Sequence, residues 1–335
     1  MPNSPSTSSR QLTPRPNRGE AGRGAVCTFG FFDGVHRGHQ CLIRQVLDEA
    51  LRRKTRSLLI TFDRHPRSVF APDAVPPLLT TATEKMALLE STGVDEIFVL
   101  PFDKAMATLS AREFMEHVLQ NQLGVSILVI GYDHRFGRPL NNPLPVGTNS
   151  SHDVEGFHAY QSYGRALGID VVLAKELEGE HISSSVVRKA LATGDVAEAA
   201  HLLGRPYTWS GCVVHGHAVG RQLGFPTANL QAIAPDKQLP ANGAYAVRVS
   251  VGAPGEPVME RAAMLNIGHR PTLDNGSELS IEANLLDFRG NLYGQTLTLS
   301  FIARLRAEQC FSSEEHLRAQ LEKDRAVACQ ILCNH

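Results

Sequence analysis

Around Gly204 the apolar residues of this chain change their rhythm, and that break constrains the fold more than any single motif does. Upstream, β-rich runs at 25–29, 57–62, 96–100, 126–131 and 169–173 alternate with helical patterns near 40–53, 83–92, 111–123 and 155–167. Such alternation predicts a parallel sheet with helices on both faces, a Rossmann-like α/β layer. Downstream, from Thr208, the runs at 208–214, 244–251, 261–267, 279–286 and 295–304 are all strand-like, with few helical patterns between them. A small antiparallel barrel of six strands is the natural expectation, closed by a terminal helix carrying Leu317, Leu321, Ala328, Ile331 and Leu332 on one stripe. Ser312 and Glu315 have the spacing of a capping box at its start. A chain of 335 residues has room for two such domains. The expected division is a tail at 1–23, a first domain at 24–204 that includes a helical connector at 184–204, and a second at 205–335.

The first strand runs into Gly30-Phe31-Phe32-Asp33-Gly34-Val35-His36-Arg37-Gly38-His39. Three glycines let backbone N–H groups approach a ligand, and the helix that follows adds unsatisfied donors and the positive end of its dipole. A phosphate fits there. His36 and His39 are three apart, so a helix beginning near His36 brings both imidazoles to one side of its first turn. The plainer alternative is a glycine-rich turn with one histidine packed and the other solvated. In a parallel sheet, ligands bind beyond the carboxyl ends of the strands. The polar segments at 63–67, 101–104 and 131–138 fall on that edge as well, each of them an ordinary surface loop if taken singly. After the fifth strand, Ser183, Ser184 and Ser185 precede Arg188 and Lys189, a pattern that caps a helix or grips a phosphate chain.

The second half holds Gly216-His217-Ala218-Val219-Gly220-Arg221-Gln222-Leu223-Gly224-Phe225-Pro226-Thr227-Ala228-Asn229-Leu230. Its glycines allow a tight loop whose N–H groups face a phosphate, and Thr227 and Asn229 offer hard oxygen ligands suited to Mg²⁺. It is not a Walker A loop, since Gly-Lys-Ser/Thr is missing. A hairpin loop with a proline-kinked strand is the alternative. Further on, strand alternation puts Ile281, Ala283 and Leu285 on one face and Glu282 and Asn284 on the other.

These motifs carry a resemblance. The segment from Gly30 to His39 resembles the signature of nucleotidyltransferases that share the H-x-G-H motif, and the serine-rich segment resembles their second phosphate-binding motif. Together with Thr61-Phe62, His65-Pro66-Arg67 and the stretch from Gly131 to Gly137, they resemble the FMN adenylyltransferase module of bacterial bifunctional riboflavin kinase/FAD synthetases. The segment from Gly220 to Leu230 matches the riboflavin kinase signature G-R-x-L-G-F-P-T-A-N-L without substitution.

The resemblance implies ATP-dependent phosphorylation of riboflavin to FMN by the second domain, then adenylyl transfer from ATP to FMN by the first, giving FAD and pyrophosphate. It implies Glu282 as the kinase base, His36, His39 and Arg188 as catalytic groups of adenylyl transfer, and Mg²⁺ on Thr227 and Asn229. Nucleotide and phosphate contacts are implied for Gly30, Phe32, Asp33, Gly34, Gly38, Ser183, Ser184, Ser185, Gly216, Gly220, Arg221, Gly224 and Pro226. Flavin contacts are implied for Phe62, His65, Pro66, Asp133, Arg135, Phe136, Asn266 and Arg304. This chain departs from the family pattern at Asp63-Arg64, at His134 where the family has Phe, at Ser185 and Val187, and in the loop 138–147. A riboflavin kinase that adenylylates poorly, and a flavin- or nucleic-acid-binding module without turnover, stay open beside the bifunctional enzyme.

Composition adds exclusions. Thirty-three basic residues against 34 acidic ones leave a net charge of −1, which gives no reason to expect a nucleic-acid partner. Apolar runs are strand-length, so no membrane span is expected. The six cysteines are scattered without zinc-finger spacing and no secretion signal precedes them, which fits a reduced, cytoplasmic protein acting as a monomer or weak homo-oligomer. Residues 1–23 are rich in Ser, Pro, Thr and Arg with no apolar period, as expected of a disordered tail. A transit peptide would need an amphipathic pattern that this segment lacks.

Overall fold

The computed structural model describes residues 24–131, 134, 136–137, 154–177, 179–216, 220, 224–251, 259–271 and 277–333. It separates into two compact units: the first runs to Pro76 and resumes over Ala82–His181, and the second comprises Pro77–Thr81 and Ile182–His335.

The first unit is a parallel sheet of β1 (Ala25–Phe29), β2 (Arg56–Phe62), β3 (Glu96–Leu100), β4 (Val125–Ile130) and β5 (Asp170–Leu173), in the order β3-β2-β1-β4-β5. All five residues of β1 are buried, as a strand covered on both faces requires. On one face lie α1 (Arg37–Arg53) and, after the short α2 (Arg67–Phe70), α3 (Ala82–Glu90); Ile43, Leu59, Leu89 and Ile97 form part of their core. On the other, Phe29, Leu58, Phe114, Met115 and Leu128 pack together. The crossover there holds α4 (Lys104–Thr108) and α5 (Ala111–Glu113), and α6 (Val154–Leu167) leads into β5. Ser110 and Glu113 form a reciprocal capping box that starts α5, which runs on as a wider π-helical segment over Phe114–Gln122 instead of the plain α-helix expected at 111–123. The strand order reverses at β1, so the carboxyl ends of β1 and β4 open the crevice where such sheets bind ligands.

The second unit is a closed antiparallel barrel of β6 (Tyr207–Val214), β7 (Ala228–Ala232), β8 (Gly243–Val251), β9 (Met259–Pro271), β10 (Ser277–Leu285) and β11 (Thr296–Ala307), in the order β10-β7-β6-β11-β8-β9. Strand β7 is the one that the alternation pattern did not disclose; it begins within the last residues of the glycine-rich motif. The barrel is filled by side chains, the largest being Trp209, Tyr245 and Phe301. We expect Trp209→Ala to cost about 3–5 kcal/mol in chemical denaturation, since no neighbour in a closed barrel can move in to fill the hole.

The connector belongs to this second unit, whereas the sequence grouped it with the first domain. Helices α7 (Ser184–Thr193) and α8 (Val196–Leu203) place Val187, Leu191, Val196 and Leu202 in the same core as Trp209 and Phe301, which is why they partition with the barrel. Gly194 and Gly204 end the two helices in the left-handed conformation, the usual use of glycine at a C-cap. The last helix, α9 (Glu314–Cys333), packs Ala328 and Leu332 on Ala246 and Met264, the outward face of β8 and β9. Its start is capped by Ser313, whose hydroxyl accepts from His316 N at 3.3 Å, while Ser312 bonds the His316 ring; the box expected between Ser312 and Glu315 does not form.

Candidate functional site

Each unit carries one candidate site. In the first, the turn after β1 is held in an uncommon backbone: Phe32, Gly34 and Val35 all have positive φ, at 54°, 79° and 40°. Left-handed conformations at non-glycine residues cost free energy and persist where the surroundings enforce them, often at ligand sites. Here the enforcement comes from Phe32 and Val35, whose side chains are buried against Ile43, Leu59 and Leu89. Phe32 therefore contributes its backbone to the turn, while its ring is core. Gly30 lets the Phe32 ring fold back, since a Cβ there would meet that ring at 3.3 Å.

Helix α1 begins earlier than the pattern suggested, with His36 as its N-cap. The His36 Nδ1 accepts from His39 N at 3.3 Å, so a neutral His36 carries its proton on Nε2. The two rings stack at 3.6 Å and 18°. Burial, then the charges of His36 and His134, hold the His39 imidazole well below its ordinary range, and its buried Nδ1 has no hydrogen-bond partner. Gly38 sits in the first turn, which has no acidic residue, while Arg52 and Arg53 complete the opposite end. The whole arrangement suits an anion at the helix start. Asp33 is an exception: its carboxylate is buried and carries the charge of the phosphate it was expected to meet.

The flavin candidates gather at the neighbouring strand ends. Phe62 is buried and edge-on to Phe102 at 5.2 Å. His65 packs edge-on to Phe31 at 4.9 Å, and Pro66 caps α2. After β4, Phe136 stacks on Tyr160 at 4.2 Å and meets Phe29 at 4.8 Å. His134 lies edge-on to Phe29 at 4.5 Å. Asp133, Arg135 and Arg221 lie outside the described residues, as do 1–23 and 138–147.

In the second unit the decisive feature is a cross-strand row. Glu282 on β10 pairs with Asn229 on β7 to one side and with Asn266 on β9 to the other, and paired residues project to the same face. The Thr227 hydroxyl donates to Glu282 Oε2 at 2.9 Å, and that of Ser280 to Oε1 at 2.9 Å. The carboxylate is thus fixed from both sides on the outward face of a rigid barrel. Having spent its proton, the Thr227 oxygen is left as an acceptor, and together with the Asn229 amide it makes a hard-oxygen pair that fits Mg²⁺. Pro226 O accepts from Asn284 Nδ2 at 2.7 Å, which pins the motif to β10. Gly224 has a φ of +85°, and a Cβ at Gly220 would meet Phe225 O at 2.4 Å. Cavities of about 410 and 260 Å³ flank β7, the first lined by Gly216 and Asn229, the second by Pro226 and Thr227.

With this geometry in place, two family models divide the chain between them: residues 19–186 match FAD synthetase and residues 203–332 match riboflavin kinase. The chain belongs to the bifunctional riboflavin kinase/FMN adenylyltransferase family. A curated member from Pseudomonas fluorescens is 37% identical over 91% of this chain and 92% of its own. One from Escherichia coli K12 is 36% identical with the same coverage. A solved structure titled a macrolide-efflux protein, from Streptococcus pneumoniae, matches with a TM-score of 0.75 and 30% identity, over 92% of this chain and 95% of that one. Among the described residues of this chain, no helix is long and apolar enough to cross a membrane.

Placed within this family's two domains, several expected site residues also make structural contacts. Arg304 was expected near the flavin, but a bulge between Phe301 and Ala303 puts it opposite Tyr245, on the inward face. There its guanidinium donates to Thr193 O at 2.9 Å and Asn242 O at 2.7 Å, bolting α7 to the barrel. Ser183 caps α7 by accepting from Val186 N at 3.4 Å, and Arg188 donates to Pro77 O at 2.6 Å. Asn266, expected at the flavin, is exposed and pairs across the strands with Glu282.

Two consequences can be measured. A Cβ at Gly216 would fall 2.2–2.6 Å from the Asn229 amide, so Gly216→Ala should displace it. FMN formation should drop at least about tenfold, an effect of the size that ligand misplacement produces, with adenylyl transfer unchanged. The second concerns Lys85, which sequence reading missed, although its position four before Leu89 on the buried stripe of α3 marks it out. Lys85 is 5% exposed, and burial pulls its ammonium down to about 8 despite the opposing pull of Asp33 and Asp63. Because the folded value lies below the unfolded one, folding carries a penalty that is full below pH 8 and is relieved as pH rises toward 10.5. At 1.36 kcal/mol per decade this penalty is about 3 kcal/mol. Lys85→Met should therefore gain stability over wild type at pH 7 in urea titrations, and the gain should shrink above pH 8.

Proposed function

We propose that the two domains act in sequence, the barrel making FMN and the α/β domain converting it to FAD, with the roles divided as follows. In the barrel, Glu282 takes the proton of the ribityl 5′-hydroxyl as that oxygen attacks the γ-phosphorus of ATP, and ADP leaves. Thr227 and Ser280 hold the carboxylate in the acceptor geometry this transfer needs. Thr227 and Asn229 would hold Mg²⁺, which would supply positive charge to the phosphate oxygens. Backbone groups around Gly216, Gly220, Gly224 and Pro226 cradle the phosphates, with Arg221 adding charge, and Asn266 contacts the flavin.

In the α/β domain, a phosphate oxygen of FMN attacks the α-phosphorus of a second ATP, the α–β bridging bond breaks, and pyrophosphate leaves. No side chain needs to become covalently attached, so the protein's contribution is position and charge. His36 Nε2 and His39 donate to the transferring phosphates beside the start of α1, with the backbone of Gly30, Phe32, Gly34 and Gly38. Ser183, Ser184, Ser185 and Arg188 bind the pyrophosphate portion. Phe62, His65, Pro66 and Phe136, with Asp133 and Arg135, form the flavin side.

Free cysteines support a cytoplasmic enzyme, and the balanced charge supports action on free nucleotides and flavins and not on nucleic acid; the enzyme acts as a monomer or weak homo-oligomer in this reading. The observation that carries this reading is the Thr227–Glu282 contact inside the Asn229–Glu282–Asn266 row. Its test is a time course with riboflavin, ATP and Mg²⁺, with flavins separated by chromatography. FMN should appear first and FAD should follow it. Riboflavin left unchanged would sink the reading.

A further inference from the structure

Among its described residues the α/β domain buries a lysine that none of the roles above uses. Lys85 projects from the middle of α3 to the carboxyl end of β2, where its Nζ donates to Phe62 O at 3.0 Å and lies 3.9 Å from the centroid of the Phe31 ring. These are its only close polar and ring contacts among the described residues, so two of its three N–H donors have no acceptor among them. A buried ammonium with one hydrogen bond is an expensive feature, and it is retained more readily at a site of function than in a structural core.

What it touches gives the function. Phe31 belongs to the turn that carries the phosphate-binding backbone, and Phe62 opens the segment that carries His65 and Pro66. The carboxylates acting on the ammonium are Asp33, from the first of these loops, and Asp63, from the second. Asp63 is itself bonded to Arg64 at 3.0 Å and to Phe102 N at 2.8 Å. One positive charge thus stands between a nucleotide loop and a flavin loop, attached to a ring of one and a carbonyl of the other. A neutral amine would still reach Phe62 O, yet it would lose its attraction to the Phe31 face and to both carboxylates.

We propose that Lys85 is a positioning residue for adenylyl transfer, whose positive charge holds the Phe31 and Phe62 loops in the arrangement that binds FMN. This rests on the α/β domain being the FMN adenylyltransferase. In consequence FMN affinity depends on pH in a window the other neighbours do not share. Asp33 and Asp63 are carboxylates, Arg64 stays charged, His65 adds an imidazole to the Phe62 loop, and the FMN phosphate completes its ionisation near pH 6. With burial pulling its ammonium down to about 8, the charge on Lys85 falls between pH 7 and 9.

The experiment measures the KM for FMN in FAD synthesis at pH 6.5 to 9.5 for wild type, Lys85→Met and Lys85→Arg, using full-length chains. Riboflavin phosphorylation by the same preparations serves as the internal control. We expect the wild-type KM for FMN to rise at least fivefold with a midpoint near pH 8. Lys85→Met should start at the high value and stay flat, with kcat changed less than KM and thermal unfolding no lower than wild type. Lys85→Arg should keep the low KM beyond pH 9. A side chain that merely supported the fold would behave otherwise, since Lys85→Met would then lower the unfolding temperature and leave the pH profile in place. A wild-type KM that is flat across this range while FAD is being made would overturn the inference, whatever the variants do. Absence of FAD synthesis in wild type would instead overturn the reading on which it rests.

Discussion

Glu282→Gln should reduce FMN formation by about 10²–10⁴-fold, the range spanned by loss of a positioned general base. Glutamine keeps the length and the acceptor oxygen of glutamate, so one of the hydroxyl contacts from Thr227 and Ser280 survives and the row with Asn229 and Asn266 stays in register. What it cannot do is accept a proton. The loss should therefore appear in kcat, with the KM values for riboflavin and ATP moving little. FAD formation from supplied FMN should be unchanged, because no residue of that row belongs to the α/β sheet. Glu282→Asp should recover little, since withdrawing the carboxylate by one methylene takes it away from both hydroxyls. Riboflavin phosphorylation at the wild-type rate in Glu282→Gln would remove Glu282 from the mechanism.

The converse variant, His36→Ala with His39→Ala, should lower FAD formation from FMN by at least about 100-fold and leave FMN formation intact. Two effects combine. The variant loses the imidazole donors at the start of α1, groups whose removal costs two to three orders of magnitude where charge develops in a transition state. It also loses the N-cap, as the His36 Nδ1 no longer receives His39 N, which adds about 1 kcal/mol of helix destabilisation. Kinase activity in the same sample separates the two, because a chain with a damaged α1 but a sound barrel still makes FMN. His36→Asn, which restores a cap but not a ring, should recover the stability and not the rate. Equal loss of both activities in the double variant would contradict the assignment of two sites.

Much of this architecture could be read from the residues because local and tertiary preferences agree. The buried parallel strands are continuous apolar runs and the barrel strands alternate, so β1 and β3 fall where periodicity puts them. Periodicity failed where a residue serves something other than burial. Strand β7, Ala-Asn-Leu-Gln-Ala, directly follows the glycines and the proline of the motif, and Leu230 is its one large apolar residue, so too little alternation is left to register as a strand. The resemblance alone pointed to Arg304, and the bulge that sets it opposite Tyr245 is something no pattern count detects. The cap of α9 fell to Ser313, as two adjacent serines give the backbone a choice that packing decides. Phe32 was taken as a ligand contact through its place in a motif, although its ring is needed to hold the left-handed turn. Lys85 escaped because charge is read as exposure, although it lies four residues before Leu89 on the stripe that α3 turns inward.

The central claim is that two separate ATP-using sites, one on a barrel row around Glu282 and one at the head of α1, work in succession within one chain. The measurement that meets it most directly is a mixing experiment with riboflavin, ATP and Mg²⁺, in which Glu282→Gln and the His36→Ala/His39→Ala variant are assayed alone and then together. Alone, the first should leave riboflavin unconverted and the second should stop at FMN; together they should produce FAD, since FMN made on one chain can be adenylylated on the other. FAD made from riboflavin by either variant alone, or none made by the mixture while the second variant accumulates FMN, would contradict it.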